Sequence, residues 1–138
     1  MKIERSEYSK HPHLRLKKSF GVFYFFEKFV VAEIGEGEHF SYENAKEIID
    51  FSYIYYGSAI KIGYISNRIN SYSIELALYS KMKKDGHQLI VASAIIIYSE
   101  IGLKMATLEK FFAKHSVKRC LSLQEAVGWI LRLEEFKY

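Results

Sequence analysis

Cysteine, proline and tryptophan are nearly missing from this chain: it has one of each, Cys120, Pro12 and Trp129. A single cysteine excludes an internal disulfide, and the simple setting for such a chain is a reducing one, which points to a cytoplasmic protein. Beyond Pro12 there is no Pro-rich or Ser/Gly-rich stretch that would mark a linker. Aspartate is scarce too. Asp50 and Asp85 are the only two, and each falls in or just after a helical pattern, where solvation explains it. The N-terminus lacks an apolar core of signal-peptide length. No run reaches the roughly 18 apolar residues that a membrane span needs. The longest apolar stretch, residues 89–98, is short and broken by Ser93. A Gly-rich phosphate loop is absent as well.

What remains is an aromatic α/β pattern. The length of 138 residues fits one domain with a core of its own. Aromatic residues make up 16%, with eleven Tyr and ten Phe, which argues against disorder. Many of these rings fit a core edge, with the ring buried and the hydroxyl wet. The net charge of +4 is uneven. Residues 1–19 hold six Lys/Arg and two Glu, and the other residues hold 14 basic and 14 acidic groups. The basicity therefore belongs to residues 1–19, read as a mobile, solubilising leader, and the domain is assigned to residues 20–138. A neutral domain does not suit nucleic-acid binding.

Residues 20–26 and 28–34 are β-rich runs joined tightly, and they read as an antiparallel hairpin. Val22, Tyr24 and Phe26 alternate along it, so an unpaired hairpin edge invites a second copy and a homodimer. Ser41 reads as an N-cap with Glu43 in the first turn, and Gly57 as the stop of that helix. A buried strand follows over 60–65, then a polar loop over 66–73 and a helix over 74–84. The most apolar strand covers 89–95. A helix over 100–114 shows a stripe of Ile101, Met105, Leu108 and Phe112. A last strand covers 117–121. Ser122 and Glu125 then form a capping box for a helix that buries Leu123, Ala126, Val127, Ile130 and Leu131. The order β-β-α-β-α-β-α-β-α implies crossovers and a mainly parallel sheet.

From about residue 20 to 133 the chain resembles the SpoIIAA-like (STAS/SEC14-type) family of small bacterial α/β domains. The strings that carry the likeness are Phe29 to Glu33 with the turn after it, Ser41-Tyr42-Glu43-Asn44-Ala45, the stretch from Gly63 to Ser73, and the tail from Ser122 to Leu133. The resemblance implies a mixed sheet of four or five strands with helices mainly on one face. It also implies a non-enzymatic regulatory module that acts by protein–protein interaction. In anti-sigma-factor antagonists of this kind, a partner kinase phosphorylates a serine that opens the helix after the third strand. The matching stretch here runs from Ser66 to Ser73, without the Asp-Ser-Ser-Gly string of those antagonists.

Read from its own residues, that loop offers Ser66, Asn67, Arg68, Asn70, Ser71, Tyr72 and Ser73 as partner- or ligand-binding groups. It lies at the carboxyl end of a strand, where ligands gather in open parallel sheets. A helix start there would favour an anion, and Arg68 adds a bidentate donor. Phosphorylation of Ser71 or Ser73 would place two negative charges beside Arg68 and attract or release a regulator or kinase. The plain alternative is that Asn70, Ser71 or Ser73 only caps the helix. A second reading is a carrier or sensor of a small apolar or anionic ligand, with a pocket between the Met105/Phe112 stripe and the sheet. Glu36, Glu38 and His39 match no metal motif and read as a wet acidic turn. Cys120 reads as a core residue, although His115 is near it in sequence. His11 with His13 is weak evidence for a metal, and His87 opens a strand and reads as exposed. Neither a metal, a cofactor nor a catalytic set is expected.

Overall fold

The structure, a computed structural model, describes residues 1–85, 88–113 and 116–133, without the side chains of 111 and 112. Two 3-10 turns, Ile3–Arg5 and Glu7–Lys10, lead into β1 (Leu14–Lys18). Then come β2 (Gly21–Phe25), β3 (Phe29–Ile34), β4 (His39–Phe40), α1 (Tyr42–Tyr56), β5 (Ile62–Asn67) and β6 (Ser73–Ile74). The chain continues with α2 (Leu78–Asp85), β7 (Ile90–Ile96), α3 (Glu100–Phe112), β8 (Ser116–Cys120) and α4 (Leu123–Leu131). Six strands form one sheet in the order β1-β2-β3-β5-β7-β8. The β1-β2-β3 part is antiparallel, and β3-β5-β7-β8 is parallel. β4 and β6 pair with each other apart from it.

Alternation along β3 sorts the core into two layers. Phe29 and Val31 point to one face with Ile65, Ala94 and Ile96, and α4 covers them with Leu123, Ala126, Val127 and Ile130. Val30, Ala32 and Ile34 point to the other face, under Ala45 and Ile48 of α1 and Leu78 of α2. β3 is buried along its whole length because both faces are covered, so it reads as an apolar run. α3 lies beside α1 and α2, where Ala106 packs on Ile95 and Val117. Three helices therefore share one face and α4 holds the other. Gly63 lets α4 sit close: a Cβ there would lie 2.7 Å from the Cδ1 and Cγ2 of Ile130.

The helix signals act as the sequence suggests. Ser41 and Asn44 form a reciprocal capping box at α1, and Gly57 ends that helix with φ 87°, a backbone shape that suits glycine alone. Ser122 caps α4 through the amide of Glu125, while the Glu125 carboxylate reaches one residue further back, to the amide of Leu121 at 2.8 Å. Leu131, expected on the buried face, is 44% exposed.

Four expectations are corrected. Residues 1–19 do not form a detached leader: β1 pairs with β2, and Ile3 is 0% exposed inside the α4-side core. The sheet gains a sixth strand in this way. β2 is consequently internal, paired on both sides, so Val22, Tyr24 and Phe26 offer no free edge to a second copy. The outer strand is β1, which carries Arg15, Lys17 and Lys18, the kind of charge that discourages edge pairing. The stripe on α3 faces the wrong way: Ile101 is 74% exposed and Leu108 42%, while Ala106 and Glu109 are buried. The side chain of Phe112, the last of that stripe, lies outside the described residues, as do His87 and His115. The helix expected over 74–84 begins only at Leu78, because Ser73–Ile74 is tied into β6. No helix among the described residues is long and apolar enough to cross a membrane.

Ile3 gives a direct test of the N-terminal packing. Ile3→Ala should lower unfolding free energy by about 2–5 kcal/mol, the cost of emptying a filled core site. Lys2→Ala, at an exposed neighbour, should stay within about 0.5 kcal/mol. Urea denaturation of the two variants distinguishes a packed segment from a loose one.

Candidate functional site

β5 carries the stretch on which the sequence places its site. Ser66 and Asn67 are still in the strand and are buried, at 3% and 1% exposed. They face opposite sides of the sheet, so the expected single loop is divided between two polar clusters. The residues beyond them do not open a helix. Asn70 donates from Nδ2 to the carbonyl of Ile34 at 2.9 Å, and the Ser71 amide donates to Glu36 Oε1 at 3.1 Å. The amide of Gly37 donates to the Ser71 carbonyl at 2.8 Å, and the Ser73 amide to the Glu38 carbonyl at 2.9 Å. His39 Nδ1 and Ser73 Oγ are 2.7 Å apart on β4 and β6. The two candidate loops, residues 35–41 and 66–73, are thus clasped together. Ser71 and Ser73 remain exposed.

The first cluster lies on the α1–α3 side. Arg68, expected in solvent, has a side chain only 8% exposed. Its Nε donates to Ser66 Oγ at 2.9 Å and its Nη2 to Glu109 Oε1 at 2.6 Å, with Nη1 against Glu109 Oε2. The guanidinium also stands over the Tyr72 ring, 5.3 Å from its centre. Tyr79 of α2 donates its hydroxyl to Glu109 Oε1 at 2.8 Å, and the Tyr72 hydroxyl is 2.9 Å from Ser66 Oγ. Burial pushes the phenols of Tyr64, Tyr72 and Tyr79 well above their ordinary range, and Glu109 adds to the effect. All three are therefore neutral hydroxyls at any physiological pH.

These groups close one end of a cavity of about 80 Å³. Its walls are mostly hydrocarbon: Val30 and Ile62 from the sheet, Ala45 and Ile48 from α1, and Leu78 and Met82 from α2. Tyr64, Ser66, Tyr72, Tyr79, Arg68 and Glu109 supply the polar end.

The second cluster lies on the α4 side, around Glu33 and Asn67. Asn67 Nδ2 donates to Glu33 Oε2 at 2.8 Å and to the Met1 carbonyl at 2.7 Å. Its Oδ1 accepts from the Tyr98 hydroxyl at 2.7 Å. The Ile3 amide donates to Glu33 Oε2 at 2.8 Å. Asn67 is therefore spent on tying the N-terminal segment to the ends of β3 and β5.

Glu33, Tyr64, Tyr79 and Glu109 were not singled out by sequence reasoning. A signal for Glu109 was present: Gly102, Ala106 and Glu109 share one helical face, and the two small residues mark the side that packs closely. Cys120 is 0% exposed, and burial pushes its thiol up to about 11, so it is a neutral core group at physiological pH. His13 stacks on Phe26 with ring centres 4.9 Å apart, and its Nδ1 is 2.7 Å from the His11 carbonyl. Tyr53, Tyr55 and Tyr56 pack around the end of α1, with Tyr55 and Tyr56 against Phe25.

No protein-family model and no curated protein matches the chain. Among solved structures it is similar to the crystal structure of an uncharacterized protein from the DUF3478 family with a SpoIIAA-like fold from Shewanella loihica PV-4. The TM-score is 0.51 at 12% identity, over 86% of this chain and 92% of that one. The chain has a SpoIIAA-like fold.

The Arg68–Glu109 pair can be weighed by substitution. Glu109→Leu alone strands a buried guanidinium and should cost about 3–5 kcal/mol. The double variant Arg68→Met/Glu109→Leu removes both charges and should recover most of that loss. A double-mutant cycle by chemical denaturation reads the difference, and additive losses would show that the two charges do not depend on each other.

Proposed function

We propose that this SpoIIAA-like domain is a non-enzymatic binding module, a carrier or sensor for a small, largely apolar molecule held between α1, α2 and the sheet. The observation that carries this reading is the half-open, mostly apolar cavity of about 80 Å³. Leu or Phe at Ala45 would reach into it, so the small residue there keeps the space open. A ligand that fits would cover the apolar walls on binding.

The regulatory reading through a phosphoserine has less support. Ser71 and Ser73 are exposed, but neither opens a helix, and α2 starts at Leu78. Arg68, the group meant to receive the phosphate, is committed to Glu109. An anionic ligand at that end meets the Glu109 carboxylate as well as the guanidinium. A neutral occupant suits the cavity better, and a protein partner would then read the loaded state instead of a phosphate.

Toluene is a suitable probe. It should raise the melting temperature of the wild-type protein by several degrees, since a ligand at 100 times its Kd adds about 2.7 kcal/mol. Ala45→Leu should melt higher without toluene and show no further rise with it. A wild-type melting curve insensitive to toluene, or an Ala45→Leu variant that responds equally, would overturn the proposal.

A further inference from the structure

We infer that the ligand is a small neutral molecule with one oxygen acceptor on an apolar body, oriented by the hydroxyl of Tyr64. This rests on the cavity reading and adds the chemical class of its occupant.

Tyr64 stands in the middle of the sheet, beside Val30 on β3 and Ser93 on β7. Its side chain lines the cavity and keeps part of its surface exposed. Most other polar groups around it have protein partners, although Glu109 Oε2 accepts no hydrogen bond. Tyr72 is paired with Ser66, Tyr79 with Glu109, and Arg68 with both Ser66 and Glu109. Among the described residues, the Tyr64 hydroxyl makes no hydrogen bond. A hydroxyl that no protein group engages is left to water, and a ligand acceptor can take that place. Burial and the nearby carboxylate keep that proton in place. Among the described residues, Tyr64 thus presents an unused donor to a mostly hydrocarbon space.

Charge decides the rest. Arg68 and Glu109 cancel each other, so no net field at the polar end holds an ion. Burying a lone charge beside this compensated pair is expensive, and a carboxylate would also meet Glu109. A hydroxyl or carbonyl oxygen satisfies Tyr64 without either penalty.

Toluene, phenol and benzoate test this with one ring and three substituents: apolar, neutral oxygen and anionic. Titrations followed by calorimetry should give phenol about fivefold tighter binding than toluene, the effect of one net hydrogen bond. Benzoate should bind more weakly than either. Tyr64→Phe should abolish the preference for phenol, which then binds no tighter than toluene, while leaving toluene affinity unchanged. Without ligand, that variant should melt at or above the wild-type temperature, because it loses an unmatched group. A Tyr64→Phe variant that melts lower assigns the hydroxyl to structure and overturns the inference. Equal wild-type affinity for phenol and toluene, or preference for benzoate, overturns it too while leaving the cavity reading intact. Failure of both toluene and phenol to bind removes the cavity reading itself.

Discussion

The buried ion pair between Arg68 and Glu109 is the contact on which the rest of the α1–α3 face depends. It joins the end of β5 to the middle of α3, and through the Tyr79 hydroxyl it reaches α2 as well. Glu109 is 1% exposed, so its charge has left water almost completely. Two ions buried in this way return their desolvation cost only with good geometry and additional hydrogen bonds. Much of that is supplied here: the guanidinium faces the carboxylate through two nitrogens, and Ser66 and Tyr79 take up further sites, while Glu109 Oε2 has the charge contact alone. The pair also explains the rotation of α3. A helix that turned its Ile101, Met105 and Leu108 stripe inward would carry Glu109 away from Arg68 and leave a buried guanidinium without a counter-charge. The charge constraint outweighs the burial of aliphatic groups, each worth about 1.5–3 kcal/mol.

That choice shapes the cavity. With α3 presenting Gly102, Ala106 and Glu109 to the sheet, its described side chains add little bulk to the space above Tyr64. The apolar side chains of α1 and α2 wall the space but do not fill it. The clasp of β4 on β6 holds α1 and α2 over it, since both helices begin just after the clasped strands. Tyr42 strengthens this link through its amide, which donates to Glu75 Oε2 at 2.7 Å. The hole thus follows from a charge in α3 and from the β4–β6 pairing, whose Phe40 and Ile74 also line it.

Local signals in the sequence reported the local structure well. Ser41, Gly57 and Ser122 mark helix ends because capping depends on residues within one turn, and the α4 face follows a 3.6 period because one sheet covers it. The errors share a cause of another kind. Residues 14–18 look like a charged leader because an edge strand needs little apolar content, and its partner lies elsewhere in the chain. The α3 stripe misled because hydrophobic period assumes that apolar residues face inward, and a buried ion pair 41 positions apart reversed this. Asn67 and Arg68 read as solvent-facing since polar residues usually are, and their partners Glu33, Met1 and Glu109 are remote in sequence, while Ser66 is buried by bonds to Arg68 and Tyr72. The region of the site was legible as a break in an apolar strand. Its direction was not, because alternation sends Ser66 and Asn67 to opposite faces.

The carboxyl ends of parallel strands are where an open α/β sheet ordinarily receives a ligand, since crossovers leave a crevice there. In this chain that crevice is filled from both sides. Met1 and Ile3 bind Asn67 and Glu33 on the α4 side, while Arg68 and its partners occupy the other. Among the described residues, the Glu33, Asn67, Ser66 and Arg68 side chains at the ends of β3 and β5 are spent on the protein itself. The free donor lies deeper, on Tyr64, three residues before the strand ends and under the helices. A site moved from rim to interior loses easy access to charged solutes and gains a dry environment, in which one hydrogen bond discriminates more strongly than at the surface. The same polar residues that suggested a phosphate site in sequence therefore act as a seal, and the chemistry they leave available is neutral.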